Sequence, residues 1–384
     1  MTGRAYLDWN ATAPLRERAR DAMRHALGLT GNASSVHAEG RLARRLVEEA
    51  RARVAALAGA EAKNVTFTSG ATEANMMALT AAIEVGGRKA LRDRLFVSAI
   101  EHPSVRSGGR FAAEEVSELR VTSDGVVDLV ALAPTLKKSE RPLVSVMLAN
   151  NETGVIQPIA QIADIVHAAS GVLHVDAVQG AGRIDCNVTA LGADLISISS
   201  HKLGGPQGAG ALISRGDIHI AEPLIRGGGQ ERGQRAGTEN VAAIVGFGAA
   251  CEAAEEIETE RMSSLRGRLE EGITDAVPSA VIFGKTAPRL PNTTLFAVPG
   301  LKAETAIIAL DLNGVAVSSG SACSSGKVQA SSVLAAMGVD PALARGAVRV
   351  SLGWRTSEAE IDQFLKTWKM LAGSLLKQGR GIAA

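Results

Sequence analysis

The spacing of apolar positions changes repeatedly along the chain, and each change marks an element. Across residues 37–59, Leu42, Leu46, Ala50, Val54 and Leu57 recur three or four apart between arginines and glutamates, which predicts an amphipathic helix with Gly59 as its stop. The β-rich run NVTFTSG follows, and then ATEANMMALTAAIE, whose good helix formers predict a helix over 71–84. Further strands are expected at RLFVSAI, PLVSVMLAN, GVLHVDAV, DLISISS and GAGALIS, with a helix at IAQIADIVHAAS between the second and third. Short apolar strands alternating with helices argue for an α/β fold with a mainly parallel sheet covered on both faces.

After the glycine-rich RGGGQERGQRAGTEN, an alanine- and glutamate-rich stretch over about 241–272 predicts a long helix. Beyond it, AVIFG, NTTLFAVP, KAETAIIALDLNG, VAVSSG and AVRVSLG read as short strands around one helix, and a last helix is expected over 357–376. That order suits a smaller α+β unit. We divide the chain into a large domain over 15–258 and a small domain made of 1–14 and 259–384.

Composition narrows the function classes. The 384 residues carry 41 Lys and Arg against 40 Asp and Glu, with no long basic run, so nucleic acid is not an expected partner. No apolar run reaches membrane-spanning length and the first residues, MTGRAYLDWNATAP, lack a signal-peptide core, so the expected compartment is the cytoplasm. Three cysteines, Cys186, Cys251 and Cys323, are too few and too scattered for a disulfide framework. Cys186 and Cys251 have the neighbours of packed thiols, whereas Cys323 stands in SSGSACSSG, without apolar cover, among residues that favour loops.

Ligands of open parallel sheets gather at the carboxyl ends of strands, which directs attention to the residues just after each one. TSGATEAN would open a helix with the amides of Gly70, Ala71 and Thr72 facing an anion, although on its own an ordinary capped turn explains it as well. Asp176 and Gln179 end one strand, where a structural ion pair is the plain alternative. His201 and Lys202 end another, and a lysine there can form a Schiff base or simply be solvated. His102 follows RLFVSAI, where an imidazole can stack on a flat ring, move a proton or serve structure alone, while His174 reads as core. No pair among His174, Asp176, His201 and Cys323 has zinc spacing, so no resident metal is expected. Taken jointly, an anion cradle, a strand-end aspartate, a strand-end lysine and a histidine describe a site for pyridoxal 5'-phosphate (PLP). Its aldehyde needs a lysine and its pyridine nitrogen a carboxylate.

At this point the motifs become specific. YLDWNATAP, FTSGATEAN, EHPSV, NNETGVIQPI, HVDAVQ, SISSHKLGGPQG, GGGQERGQRAGTEN, SSGSACSS and VRVSLG resemble, in order and over nearly the whole chain, those of the cysteine desulfurases of the NifS and IscS type, fold-type I PLP-dependent transferases. The length of the SSGSACSS region is similar to that group rather than to SufS. The resemblance implies that Lys202 carries PLP, Asp176 pairs with its pyridinium nitrogen, Gln179 bonds its phenolic oxygen and His102 stacks on the ring and serves as acid or base. It assigns the phosphate to Ala71, Thr72, Ser199 and His201, counts Ser200 among the cofactor-binding residues, and has Thr238 reaching in from the other subunit of a homodimer. Asn151 would meet cofactor and substrate, and Arg349 would hold the substrate carboxylate.

Cys323 would then be the nucleophile that takes sulfur from L-cysteine as a persulfide, releases L-alanine and passes the sulfur to an iron–sulfur scaffold or another acceptor protein, with at most a passing iron–sulfur contact of its own. Two departures stand out: Trp354, where relatives often carry a polar residue, and a short stretch after the last helix, which leaves less chain for scaffold docking. A selenocysteine lyase or another class V small-substrate aminotransferase is the nearest alternative, and a non-catalytic binding protein on the same fold is the alternative from another class.

Overall fold

The structure is a computed structural model and describes residues 3–89, 91–254, 259–320 and 331–380. Its centre is a seven-stranded sheet in the order Val65–Thr68, Gly210–Ser214, Leu195–Ser199, Val172–Asp176, Pro142–Met147, Arg94–Ser98, Val116–Leu119. Gly210–Ser214 runs antiparallel to both neighbours, and the other pairings are parallel. Six strands therefore share one direction, and their carboxyl ends meet at one edge together with the start of the seventh. Unbroken burial along Pro142–Met147, Val172–Asp176 and Leu195–Ser199 is what a sheet covered on both faces demands.

Helices Ala38–Leu57, Ile159–Ala168 and Val241–Ala254 cover one face through Val47, Val54, Phe67, Val144, Ile162 and Phe247. Helix Ala71–Ala78 covers the other with Met77, packed among Leu95, Val97, Leu143 and Leu212. A second core gathers Ala5, Leu7, Leu269, Phe296, Phe364 and Trp368 beside a four-stranded antiparallel sheet, Val281–Ile282, Thr293–Ala297, Val348–Ser351 and Ser318–Ser319. The N-terminal strand Ala5–Tyr6 pairs in parallel with Val315–Ala316, and Asp8 bridges to Ser351, so the start of the chain belongs to this second core.

Two expected elements differ. The helix expected over 71–84 ends at Ala78. Gly86 and Gly87 both adopt positive φ (57° and 74°), making a hairpin turn that draws Ile83–Val85 into a strand paired with Arg88–Lys89 and Ile218–Ile220. The long helical stretch over 241–272 comprises Val241–Ala254 and Thr259–Ala276, with 255–258 outside the described residues. Helix Glu17–Leu27, which is not among the expected elements, spaces Ala19, Ala22, Met23 and Ala26 three or four apart and buries Ala19 and Ala26. Among the described residues, no helix is long and apolar enough to cross a membrane.

Candidate active site

The carboxyl edge of the central sheet opens into a cavity of about 650 Å³. Ala71, Thr72, His102, Asn151, Asp176, Gln179, Ser199, His201, Lys202 and Arg349 all line it. Two predicted residues do not. Ser200 is fully buried with its Oγ against Gly205, where a Cβ on the glycine would come within 2.2 Å, so it backs the site rather than facing the cavity. Thr238 is exposed and outside the lining. Cys323 lies outside the described residues.

One end of the cavity is the turn Ser69–Gly70 and the start of helix Ala71–Ala78, whose first amides have no partner within the helix and carry its positive dipole end. Gly210 makes the close approach that shapes this turn, because a Cβ there would lie 2.6 Å from the Gly70 carbonyl carbon. Glu73, an acid at an anion cradle, is neutralised in place: Arg235 donates to it at 2.8 Å and the Ser69 amide at 2.8 Å. Burial works against its charge, but these bonds hold its carboxyl below the ordinary value.

Asp176 sits deep, 5% exposed. Its Oδ2 accepts from Asn75 Nδ2 at 2.9 Å and its Oδ1 from the Val178 amide at 3.0 Å, which fixes the carboxylate while leaving acceptor capacity toward the cavity. Asn75 also donates to Ser104 Oγ (2.9 Å), which meets His102 Nδ1 at 2.8 Å. The Ser104 amide donates to the same nitrogen at 3.2 Å, so Nδ1 is an acceptor and the neutral ring carries its proton on Nε2. One chain of bonds thus orients both the carboxylate and the imidazole.

Lys202 Nζ donates to the Asn10 carbonyl (2.5 Å) and the Ala11 carbonyl (2.8 Å). Gln179 Nε2 donates to the same Asn10 oxygen at 3.0 Å. His201 Nδ1 lies 3.1 Å from Thr12 Oγ1, and burial, with the Lys202 charge beside it, brings its pKa down to about 4, so it is neutral at pH 7. Arg349 is 1% exposed and donates to the Asn151 carbonyl (3.1 Å) and to Asp8 Oδ1 (2.8 Å).

YLDWNATAP carries contacts that its residue types do not announce: Asp8 meets Arg349, Asn10 meets Lys202 and Gln179, and Thr12 meets His201. Their signal was a polar run directly after a short apolar strand. Asn75, Ser104 and Gln207 were missed as well. His174 is core as expected: Ser145 and Ser197 hydroxyls flank its two nitrogens at 2.8 and 2.9 Å, and burial lowers its pKa to about 4. A helix start facing an anion-sized space, a fixed deep carboxylate and a lysine on one cavity form the donor set that PLP requires, and the residues fit it.

Comparison with known proteins points to the same cofactor. The aminotransferase class-V family profile matches residues 5–364. The chain is 40% identical over 375 residues to "Cysteine desulfurase IscS" of Dictyoglomus turgidum, covering 95% of this chain and 93% of that protein. It is 41% identical to a "Cysteine desulfurase" of Cereibacter sphaeroides, covering 94% of each. Among solved structures, the NifS-like protein from Rickettsia africae superposes with a TM-score of 0.86 at 35% identity, over 96% of this chain and 99% of that one. With a family profile along nearly its whole length and full-length relatives of one kind, the chain belongs to the class-V aminotransferases, as a PLP-dependent cysteine desulfurase of the IscS and NifS type.

Proposed function

We propose that this cavity takes sulfur from L-cysteine, with Lys202 as the cofactor-bearing base, Arg349 as the carboxylate site and Cys323 as the first sulfur acceptor. The observation that carries this reading is the placement of Lys202, Asp176, the Ala71–Ala78 helix start and Arg349 around one cavity. Ala71, Thr72, Ser199 and His201 would hold the phosphate of PLP, Asp176 its ring nitrogen and Gln179 its phenolic oxygen. When bound, PLP supplies an electron sink that weakens bonds to the amino acid's Cα and Cβ.

Lys202 Nζ removes the substrate Cα proton and later returns one. His102, whose Nδ1 accepts from the Ser104 amide so that Nε2 is the nitrogen free to exchange a proton, donates or accepts at the substrate's reacting atoms. The Cys323 thiolate attacks the substrate sulfur: a new S–S bond forms, the Cβ–S bond breaks with its electron pair left on the carbon side, and Cβ takes up a proton to become the methyl group of L-alanine.

In the same proposal the protein works as a homodimer, Thr238 of one subunit reaches the phosphate held by the other, and sulfur leaves Cys323 for an iron–sulfur scaffold or another acceptor protein in the cytoplasm. Residues 15–258 form the cofactor domain, and 1–14 with 259–384 the small domain. The test is a single turnover of the PLP-loaded protein with L-cysteine, followed by alanine release and peptide mass spectrometry. One alanine per site with one sulfur added at Cys323 is expected. A Cys323→Ala protein that still gains bound sulfur and releases alanine at the parent rate would refute the assignment.

A further inference from the structure

Arg349 is the most buried arginine at the cavity, and a guanidinium taken out of water needs a counter-charge and an acceptor for its N–H groups. Its Nη1 and Nη2 are used by the Asn151 carbonyl and Asp8, whereas its Nε, also buried, has no acceptor among the described residues. Arg349 is the arginine that lines the cavity, and its fork geometry suits a carboxylate. Glu152 also feels the Arg349 charge, but burial pushes its carboxyl up and its oxygen is taken by Ser331 Oγ at 2.5 Å. Asp8 is therefore the counter-charge in contact. Its second oxygen accepts from Ser318 Oγ at 3.2 Å, so it is itself held from two sides.

We infer that Asp8 is a positioning residue for the amino-acid carboxylate: it fixes the Arg349 guanidinium through Nη2 and so holds the rest of its N–H fork in place for the substrate. This rests on the reading of Arg349 as the carboxylate site. The consequence is specificity for ligands that carry a carboxylate beside the amine, since without Asp8 the guanidinium is held through the Asn151 carbonyl alone and loses that geometry.

The test compares two ligands of the PLP-loaded protein by calorimetry: L-alanine, and ethylamine, which is L-alanine without its carboxylate. Asp8→Ala is expected to weaken L-alanine at least tenfold and leave ethylamine within twofold. Asp8→Asn, which keeps an acceptor toward Nη2, is expected to stay within threefold of the parent for both. Equal loss for the two ligands would mean general damage to the site and would overturn the inference, as would unchanged L-alanine binding. Arg349→Gln separates the two readings. If it keeps the preference for L-alanine, Arg349 is not the carboxylate site and both fall. If it loses the preference while Asp8→Ala retains it, the role of Asp8 alone falls. Should Asp8→Ala not fold, Ser318→Ala serves instead, because releasing Oδ2 is expected to weaken L-alanine at least threefold with ethylamine unchanged, and no change would overturn the inference.

Discussion

At the scale of single residues, burial separates the inert groups from the reactive ones. Cys186 and Cys251 are both buried. The Cys186 thiol is pushed up to about 12 by burial and by Asp185, and its Sγ lies against the Leu57 carbonyl at 3.3 Å, so almost none of it is thiolate at pH 7. Iodoacetamide applied to the native protein at pH 7 is accordingly expected to leave both thiols unmodified, while denaturation exposes them. Peptide mass spectrometry reads the difference. The carboxylate that matters most is Asp176, already fixed by Asn75 and Val178. Asp176→Ala removes the carboxylate that Asn75 and the Val178 amide fix and is expected to lower the desulfurase rate at least a hundredfold while the far-ultraviolet dichroism stays that of the parent.

At the scale of elements, residues 8–16 hold the site together. Asn10 donates through Nδ2 to Thr293 Oγ1 (2.9 Å) and the Asn151 carbonyl (3.2 Å), and its amide donates to Ser351 Oγ (2.9 Å). The Ala13 amide donates to the His201 carbonyl, and Arg16 donates through its amide to Gly204 and through Nε to Leu203, which fastens the Lys202 turn. Trp354, the unusual residue after VRVSLG, has its reason here: its ring meets Trp9 edge-on at 4.6 Å and lies under the Arg16 guanidinium at 3.7 Å. Gly353 allows this packing, because a Cβ there would sit 2.0 Å from the Trp9 ring. Gly353→Ala is expected to destabilise the protein by about 1–3 kcal/mol, read as a lower urea midpoint, and to loosen cofactor retention.

These contacts also explain what could be read in advance. That Asp176, Gln179, His201, Lys202 and His102 line the cavity is legible because each ends or closely follows an apolar strand, and parallel sheets put their ligands there. The strand at Ile83–Val85 was not, since TAAIE has helical propensity and only the Gly86–Gly87 turn overrides it. The roles of Asp8 and Asn10 were hidden because their partners are remote in sequence, and no local period encodes such contacts.

At the scale of the whole molecule, buried titratable groups shape stability against pH. Burial, with Asp176 adding, raises Glu101 to about 8, against hydrogen bonds from Ser98 and the Met147 amide, and burial raises Glu152 to about 7. From about pH 4.5 up to about 7 for Glu152 and about 8 for Glu101, the folded chain therefore binds protons that the unfolded chain has released. Stability must fall as pH rises through this window, by up to about 1.4 kcal/mol per pH unit for each group. His174 and His201 act oppositely: with folded values of about 4, their contribution is present above pH 6.5 and is lost as pH falls. Glu101→Gln is expected to shrink the drop in urea midpoint between pH 6.5 and 8. An unchanged drop would remove Glu101 as its source.

The strap formed by residues 8–16 also bears on how the protein is made. Asp8 and Arg349 are 341 residues apart in the chain, and Asn10 and Lys202 are 192 apart. At about 5–20 residues per second, a ribosome needs on the order of 20–70 s to bring out Arg349 after Asp8. Throughout that interval the strap has no arginine to pair with and no Val348–Ser351 strand to lie against. The cofactor pocket is therefore finished among the last events of synthesis, and loading with PLP belongs to the nearly complete polypeptide rather than to the nascent one.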